Sequence, residues 1–160
     1  MKRRHLREDV VELAKLLRKL RPDIVFGADL IAGFPTETES MFRQTLSLVE
    51  EVGFIYLHVF PYSPRKGTPA ARMPQLPKNV RKNRALQLRD LGEKLLLSHT
   101  NKQVGKMNQA LIEQGSWGRT EHFTPVFVEG DNAPGSIVDV IISHASNGSL
   151  RGFSQNTETQ

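Results

Sequence analysis

Apolar residues change their spacing along this chain, and each change marks a new element. From Asp9 to Leu20, the residues Val10, Leu13, Ala14, Leu17 and Leu20 recur at helical spacing. Arg21-Pro22-Asp23 stops that helix, because proline lacks an amide donor and biases its predecessor to extended backbone. Ile24 to Ile31 is a short, mostly apolar run and reads as a parallel strand buried on both faces. Gly33-Phe34-Pro35 reads as a turn, and Thr36 with Glu39 as a capping box. Met41, Phe42, Thr45, Leu46, Leu48, Val49 and Val52 then line one side of a second helix, which Gly53 closes. Phe54 to Phe60 predicts a second buried strand. Helix, strand, helix, strand with short joints is the pattern of parallel β/α units.

The texture changes at Pro61. Five prolines and Gly67 between Pro61 and Pro77 predict a long irregular loop, and loops of this length are often functional. A third helix follows from about Lys78 to Thr100, with Val80, Leu88, Leu91 and Leu95 as its apolar stripe. Beyond Val104-Gly105, short segments at Asn108–Glu113, Arg119–Phe123, Val126–Glu129, Ser136–Ile142 and Leu150–Phe153 predict five strands of a small antiparallel barrel. The fold class is therefore α/β followed by all-β. The boundaries are residues 1–101 for the first domain, 102–153 for the second and 154–160 for a polar tail with no reason to be ordered.

Composition narrows the function classes. A chain of 160 residues with 38% hydrophobic and 24% charged residues has enough material for a globular core. No apolar run reaches the roughly 20 residues that span a bilayer. The start, Met1-Lys2-Arg3-Arg4-His5, is charged and not the apolar core of a signal peptide, so a cytoplasmic location without a membrane partner is expected. The absence of cysteine excludes disulfides, thiolate zinc sites, a cysteine nucleophile and cysteine-ligated clusters within these residues. Charge is divided: residues 1–22 carry +5, 23–64 carry −5, 65–106 carry +9 and 107–160 carry −4. The mid-chain basic block either attracts an anionic partner such as RNA or is a solvated helix face.

The common catalytic signatures are missing. There is no GxxxxGK[ST], no GxGxxG after a strand, no GxSxG elbow and no HxxxH among the five histidines. Asp29 interrupts an apolar strand, so it is either a structural hydrogen-bond hub or part of a site. Ligands of parallel β/α folds bind beyond the carboxyl ends of the strands. Those ends are Ile31 to Thr38 and His58 to Pro64. Gly33 there can allow a ligand close to the backbone, and Phe60 and Tyr62 can flank a flat ring.

Three motifs occur in order: Met1-Lys2-Arg3-Arg4-His5, then Asp29-Leu30-Ile31-Ala32-Gly33-Phe34-Pro35-Thr36-Glu37-Thr38, then His58-Val59-Phe60-Pro61-Tyr62-Ser63-Pro64-Arg65-Lys66-Gly67-Thr68-Pro69-Ala70. Together they resemble the radical S-adenosylmethionine methylthiotransferases. Gly118 to Val126 resembles the start of the TRAM domain that ends those enzymes. Gly27-Ala28-Asp29 with Phe34-Pro35-Thr36-Glu37-Thr38 is most similar to the branch acting on threonylcarbamoyladenosine in tRNA.

The resemblance implies a tRNA-modifying enzyme that uses S-adenosylmethionine and [4Fe-4S] clusters to place a methylthio group on an adenosine beside the anticodon. It implies that residues 1–101 are the C-terminal part of a radical SAM β/α barrel, with two parallel strands and three helices, and that 102–153 are the TRAM barrel. The family's CxxxCxxC motif has no counterpart here, so the chain alone is expected to lack the transferase activity. By the resemblance, Ile31 and Gly33 flank the cofactor's adenine, Asp29 stands nearby, and Phe60, Pro61 and Tyr62 meet the adenine edge. Ser63, Arg65 and Thr68 face substrate. For tRNA the candidates are Arg65, Lys66 and Arg72 in the loop, Arg81, Lys82 and Arg84 in the basic helix, and Arg119, His122 and Phe123 in the barrel. Phe123 can equally be barrel core. Three roles are thus open: part of a methylthiotransferase, a stand-alone tRNA-binding module, or a subunit that pairs with a cluster-bearing N-terminal half. An open strand edge makes residues 1 to about 100 marginally stable alone.

Overall fold

The computed structural model describes residues 5–154. Of the basic opening motif only His5, and of the polar tail only Ser154, lie among them. The chain divides after Leu95 into two compact units. Among the described residues no helix is long and apolar enough to cross a membrane.

The first unit begins with α1 (Arg7–Leu20), where the Asp9 carboxylate accepts from the Leu6 amide at 2.6 Å. Val11 and Ala14 of α1 are buried with Val52 of α2 (Glu39–Val52). Strands β1 (Phe26–Ala32) and β2 (Phe54–Pro61) pair in parallel, with Asp29 opposite His58 and Ile31 opposite Phe60. Their inner face packs Ala32 and Val59 against Phe42 and Val49 of α2 and against Ala85 and Leu88 of α3 (Lys78–Asn101).

Two sequence expectations fail here. β1 alternates exposed and partly buried residues and is not buried on both faces, because the helices cover only one side of the two-stranded sheet. Asp29 is accordingly an exposed carboxylate on the bare face and not a buried hub. Nor does Thr36 cap α2: the cap is Thr38, whose hydroxyl accepts from the Met41 amide at 3.2 Å. Glu37 is thereby released from the helix start and turns toward α3, where a cation awaits it.

The second unit is a closed barrel with strand order β3-β4-β5-β7-β6. Its strands are β3 (Met107–Gln114), β4 (Trp117–Thr120), β5 (Pro125–Glu129), β6 (Ile137–Ser146) and β7 (Ser149–Ser154). Ala110, Ile112, Val126, Val128, Val140, Ile142 and Leu150 fill the interior from alternate positions. All five expected strands form. One neighbouring pair, β5 with β7, is parallel, so the barrel is mixed and not wholly antiparallel. Gly118 and Gly152 sit where a Cβ would run into the carbonyls of Leu111 and Ile141, so the wall is closed too tightly there for any side chain.

The expected strand at Arg119–Phe123 stops early, at Thr120. Phe123 takes φ +65°, and its amide donates to the Thr120 carbonyl at 2.8 Å. The Thr120 hydroxyl accepts from the amides of His122 and Thr124, each at 3.3 Å. This side-chain capture turns the backbone within a run that reads as alternating polar and apolar.

Candidate functional site

The ends of β1 and β2 meet at a cavity of about 680 Å³ lined by Ile31, Phe34, Thr36, Tyr62, Arg65 and Met73 among others. The Tyr62 amide donates to the Ala32 carbonyl at 2.8 Å and carries the sheet one step past β2. The Phe34 and Tyr62 rings meet edge to face at 5.3 Å and form the aromatic corner of the cavity. Ser63 and Thr68 line it as well. The Thr68 hydroxyl also organises the loop, donating to the Arg65 carbonyl at 2.8 Å and accepting from the Ala71 amide at 3.3 Å. That bond starts the 3₁₀ turn Pro69–Arg72, which closes one side.

A buried ion pair fixes the turn after β1. Arg84 and Glu37 have side chains 8% and 13% exposed, and Nη1 of Arg84 donates to Oε2 of Glu37 at 2.7 Å. The same nitrogen donates to the Glu37 carbonyl at 2.9 Å, and Nη2 reaches Glu39 at 3.2 Å. Oε2 of Glu37 also accepts from the Gly33 amide at 2.8 Å. The turn that carries Phe34 and Thr36 is therefore tied to α3. Arg81, one helical turn earlier, donates to the Tyr62 carbonyl at 2.6 Å and packs directly on Gly33.

This geometry sorts the sequence candidates. Ile31, Tyr62, Ser63, Arg65 and Thr68 line one cavity, and Phe60 stands beside Ile31 on the bare sheet face at 55% exposure. Asp29 is on that same face, two residues before Ile31, and Pro61 is exposed at the end of β2. Gly33 is buried, and the close neighbour its missing Cβ admits is Arg81, not an open ligand space. Lys66, Arg72 and Lys82 are exposed. Arg84 requires correction: it is 6% exposed and committed to Glu37, so its guanidinium is not presented to a phosphate. Arg81 is likewise engaged with a backbone carbonyl.

In the barrel, Phe123 is 66% exposed and is not core, and the Arg119 guanidinium lies 4.5 Å over its ring. Arg119 also donates to the Phe123 carbonyl at 3.3 Å and pairs with Glu113 at 3.4 Å. His122 is buried at 7% exposure, edge to face with His99 at 5.7 Å, which removes it from any surface stack. Burial first, then His122, Lys106 and Lys102, lower the His99 pKa to about 4.

Sequence reasoning passed over Phe34 and Thr36 as cavity residues and Glu37 as the anchor of the turn. Their signal was available in Phe34-Pro35-Thr36-Glu37-Thr38, where a second acid next to the cap has no need to serve the helix dipole.

The residues at hand suit a flat, partly apolar group: two rings, Ile31 and Met73, with hydroxyls from Thr36 and Ser63 at the margin. They do not suit an iron–sulfur cluster, since the chain supplies no thiolate. Among the described residues no three His, Asp or Glu side chains gather as a metal site.

A parallel β/α pair with a cavity at its carboxyl ends, followed by a closed five-stranded barrel, defines an α/β unit with a candidate ligand cavity and a small β-barrel module. No family model matches the chain. It is 50% identical over 137 residues to the threonylcarbamoyladenosine tRNA methylthiotransferase MtaB of Rickettsia prowazekii, covering 86% of this chain and 32% of that protein. It is 35% identical over 164 residues to the tRNA-2-methylthio-N(6)-dimethylallyladenosine synthase of Ehrlichia chaffeensis, covering 96% of this chain and 37% of that one. It is 38% identical over 161 residues to the synthase of the same name from Oceanobacillus iheyensis, covering 95% and 31%. The chain belongs to the tRNA methylthiotransferase family, and it spans about a third of the length of these curated relatives. Identity to the threonylcarbamoyladenosine enzyme exceeds that to the two dimethylallyladenosine enzymes, in line with the branch that the sequence motifs resemble.

Proposed function

We propose that this chain is the cofactor-flanking and tRNA-contacting part of a methylthiotransferase acting on threonylcarbamoyladenosine beside the anticodon. The 50% identity to the Rickettsia prowazekii enzyme carries this reading. The cavity at the strand ends supports it, since it has the residue types that hold a flat nucleoside. In this reading S-adenosylmethionine supplies the radical chemistry when bound to a cluster-bearing partner or segment. Ile31, Phe34 and Tyr62 enclose its adenine, and Thr36 and Ser63 offer hydroxyls at the rim. Phe60 and Asp29 extend the site along the bare sheet face. The β1–β2 unit is the end of a radical SAM β/α barrel, and the β3–β7 barrel is a TRAM domain.

Arg65, Lys66, Arg72 and Lys82 attract the tRNA backbone from the basic stretch 65–106, and Arg119 with Phe123 contacts RNA from the barrel. Alone, the chain transfers no methylthio group, because it brings no thiolate for a cluster. A second role, as a subunit that pairs with a cluster-bearing half, is favoured by the bare face of β1 and β2, where Ile31 and Phe60 are 42% and 55% exposed. The protein acts in the cytoplasm, where its substrate is.

The test combines binding and product analysis. The chain should bind tRNA with an affinity that falls steeply with salt. Incubated with tRNA bearing threonylcarbamoyladenosine, S-adenosylmethionine and a reductant, it should give no 2-methylthio nucleoside by mass spectrometry. Product from the chain alone, or no tRNA binding at low salt, would overturn the proposal.

A further inference from the structure

The outer wall of the barrel carries aromatic and cationic side chains that the tRNA contacts above do not use. Strand pairing sets Trp117 opposite Phe127, Phe127 opposite Arg151, and Arg151 opposite His144. The interior is filled by their chain neighbours, so these four form one transverse row on the outside of β4, β5, β7 and β6. At about 4.8 Å per strand step the row is about 14 Å long. Its members touch. Trp117 meets Phe127 edge to face at 5.4 Å, and the Arg151 guanidinium lies 4.8 Å over the Phe127 ring.

Trp117 is 50% exposed, and the Arg151 side chain is 56% exposed with its Nε 3.8 Å from the equally exposed Glu129 carboxylate, a loose surface pair that a phosphate can displace. Neither serves the core, and an exposed tryptophan in a strand forgoes the gain of burial. Of the other exposed apolar residues on the wall, Met107, Leu111 and Ile137 are aliphatic, and Phe153 on β7 is a further ring outside this row. Alternation of ring and guanidinium is a different chemistry. Any nucleobase offers a π-face to tryptophan or to a stacked guanidinium, and the same arginine can pair with the adjoining phosphate. The segment 107–160 is net −4, so attraction here depends on stacking and on its two arginines, not on bulk charge.

We propose that the outer face of β4, β5 and β7, centred on Trp117, Phe127 and Arg151, is a stacking platform for unpaired nucleotides of RNA. The inference rests on the tRNA-binding reading and adds where unpaired bases land. Duplex regions have no exposed π-face and are left to the basic stretch.

Trp117 is the only tryptophan in the chain, so its emission reports this face directly. The full chain is titrated with a short oligouridylate and, separately, with bulk tRNA. Both RNAs should quench Trp117 emission. Arg151→Gln and Phe127→Leu should each weaken oligouridylate binding about tenfold, with circular dichroism unchanged. Arg151→Lys should recover only part, since an ammonium keeps the charge but does not stack. If tRNA binds without altering the emission and Arg151→Gln is neutral, the platform is wrong while the tRNA-binding reading stands. If neither RNA binds at low salt, both fall. Emission that changes with chain concentration alone, and not with RNA, would make this face a contact between copies and overturn the platform.

Discussion

The two units solve the problem of a β-sheet's second face in opposite ways. The five-stranded barrel curls its sheet until the inner faces of all strands share one core, and no edge is left. The two-stranded sheet of the α/β unit covers one face with α2 and α3 and leaves the other bare, with Asp29, Ile31, His58 and Phe60 exposed. One unit is complete in itself. The other carries its cavity and its bare sheet face at the same end. Stability is thus apportioned differently: the barrel needs no covering layer, whereas the cavity of the α/β unit keeps its shape only as far as internal ties hold the turn after β1 in place.

That contrast can be broken in order of effect. Arg84→Met removes one partner of a buried ion pair and strands Glu37, a change that costs about 3–5 kcal/mol in comparable sites. Urea denaturation should then show the helical signal of the α/β unit shifting to lower urea while Trp117 emission, a barrel reporter, keeps its midpoint. If both shift together, the units unfold as one and the contrast fails. Gly152→Ala should do the reverse. Its Cβ meets the Ile141 carbonyl, and a loss of about 2–3 kcal/mol should appear in the Trp117 transition.

Phe123→Gly tests the strained turn. Relief of a left-handed backbone favours glycine by 1–2 kcal/mol, and loss of the ring under Arg119 offsets part of it. The barrel midpoint should rise by about 0.5 kcal/mol while RNA affinity falls. No rise would mean the turn is not strained.

The smallest effect expected is with pH. His99 has a folded pKa of about 4, below its ordinary 6.5, so the unfolded chain takes up the proton first. Its contribution therefore weakens stability progressively as pH falls from about 6.5 to about 4, and is flat above and below. His99→Gln should flatten the melting temperature across that window, and an unchanged slope would count against the burial assigned to His99.

Element order and type were legible because periodicity and punctuation agree along most of the chain. Parallel pairing followed from apolar runs separated by capped helices, and five strands followed from Gly- and Asn-rich joints. One-sided burial of β1 was not legible, since an apolar run reports what a strand can bury and not what is there to cover it. The parallel β5–β7 pair was missed because strand order inside a small barrel depends on which loops cross its end, and loop paths leave no periodic trace. Within the site, Ile31 and Tyr62 came from position at strand ends, and Arg65 from the family resemblance. Arg84 was misread because a basic helix face looks alike in sequence whether an arginine points to solvent or inward to an acid. The Trp117 row was invisible because pairing register across β4, β5 and β7 creates it.

The tie between Glu37 and Arg84 spans 47 residues of chain. During synthesis at roughly 5–20 residues per second, the turn after β1 emerges seconds before the helix that will hold it. For that interval the Gly33 amide and the Glu37 carboxylate have only water and each other. The cavity is therefore a late product of folding, finished when α3 arrives and not when its own lining residues do.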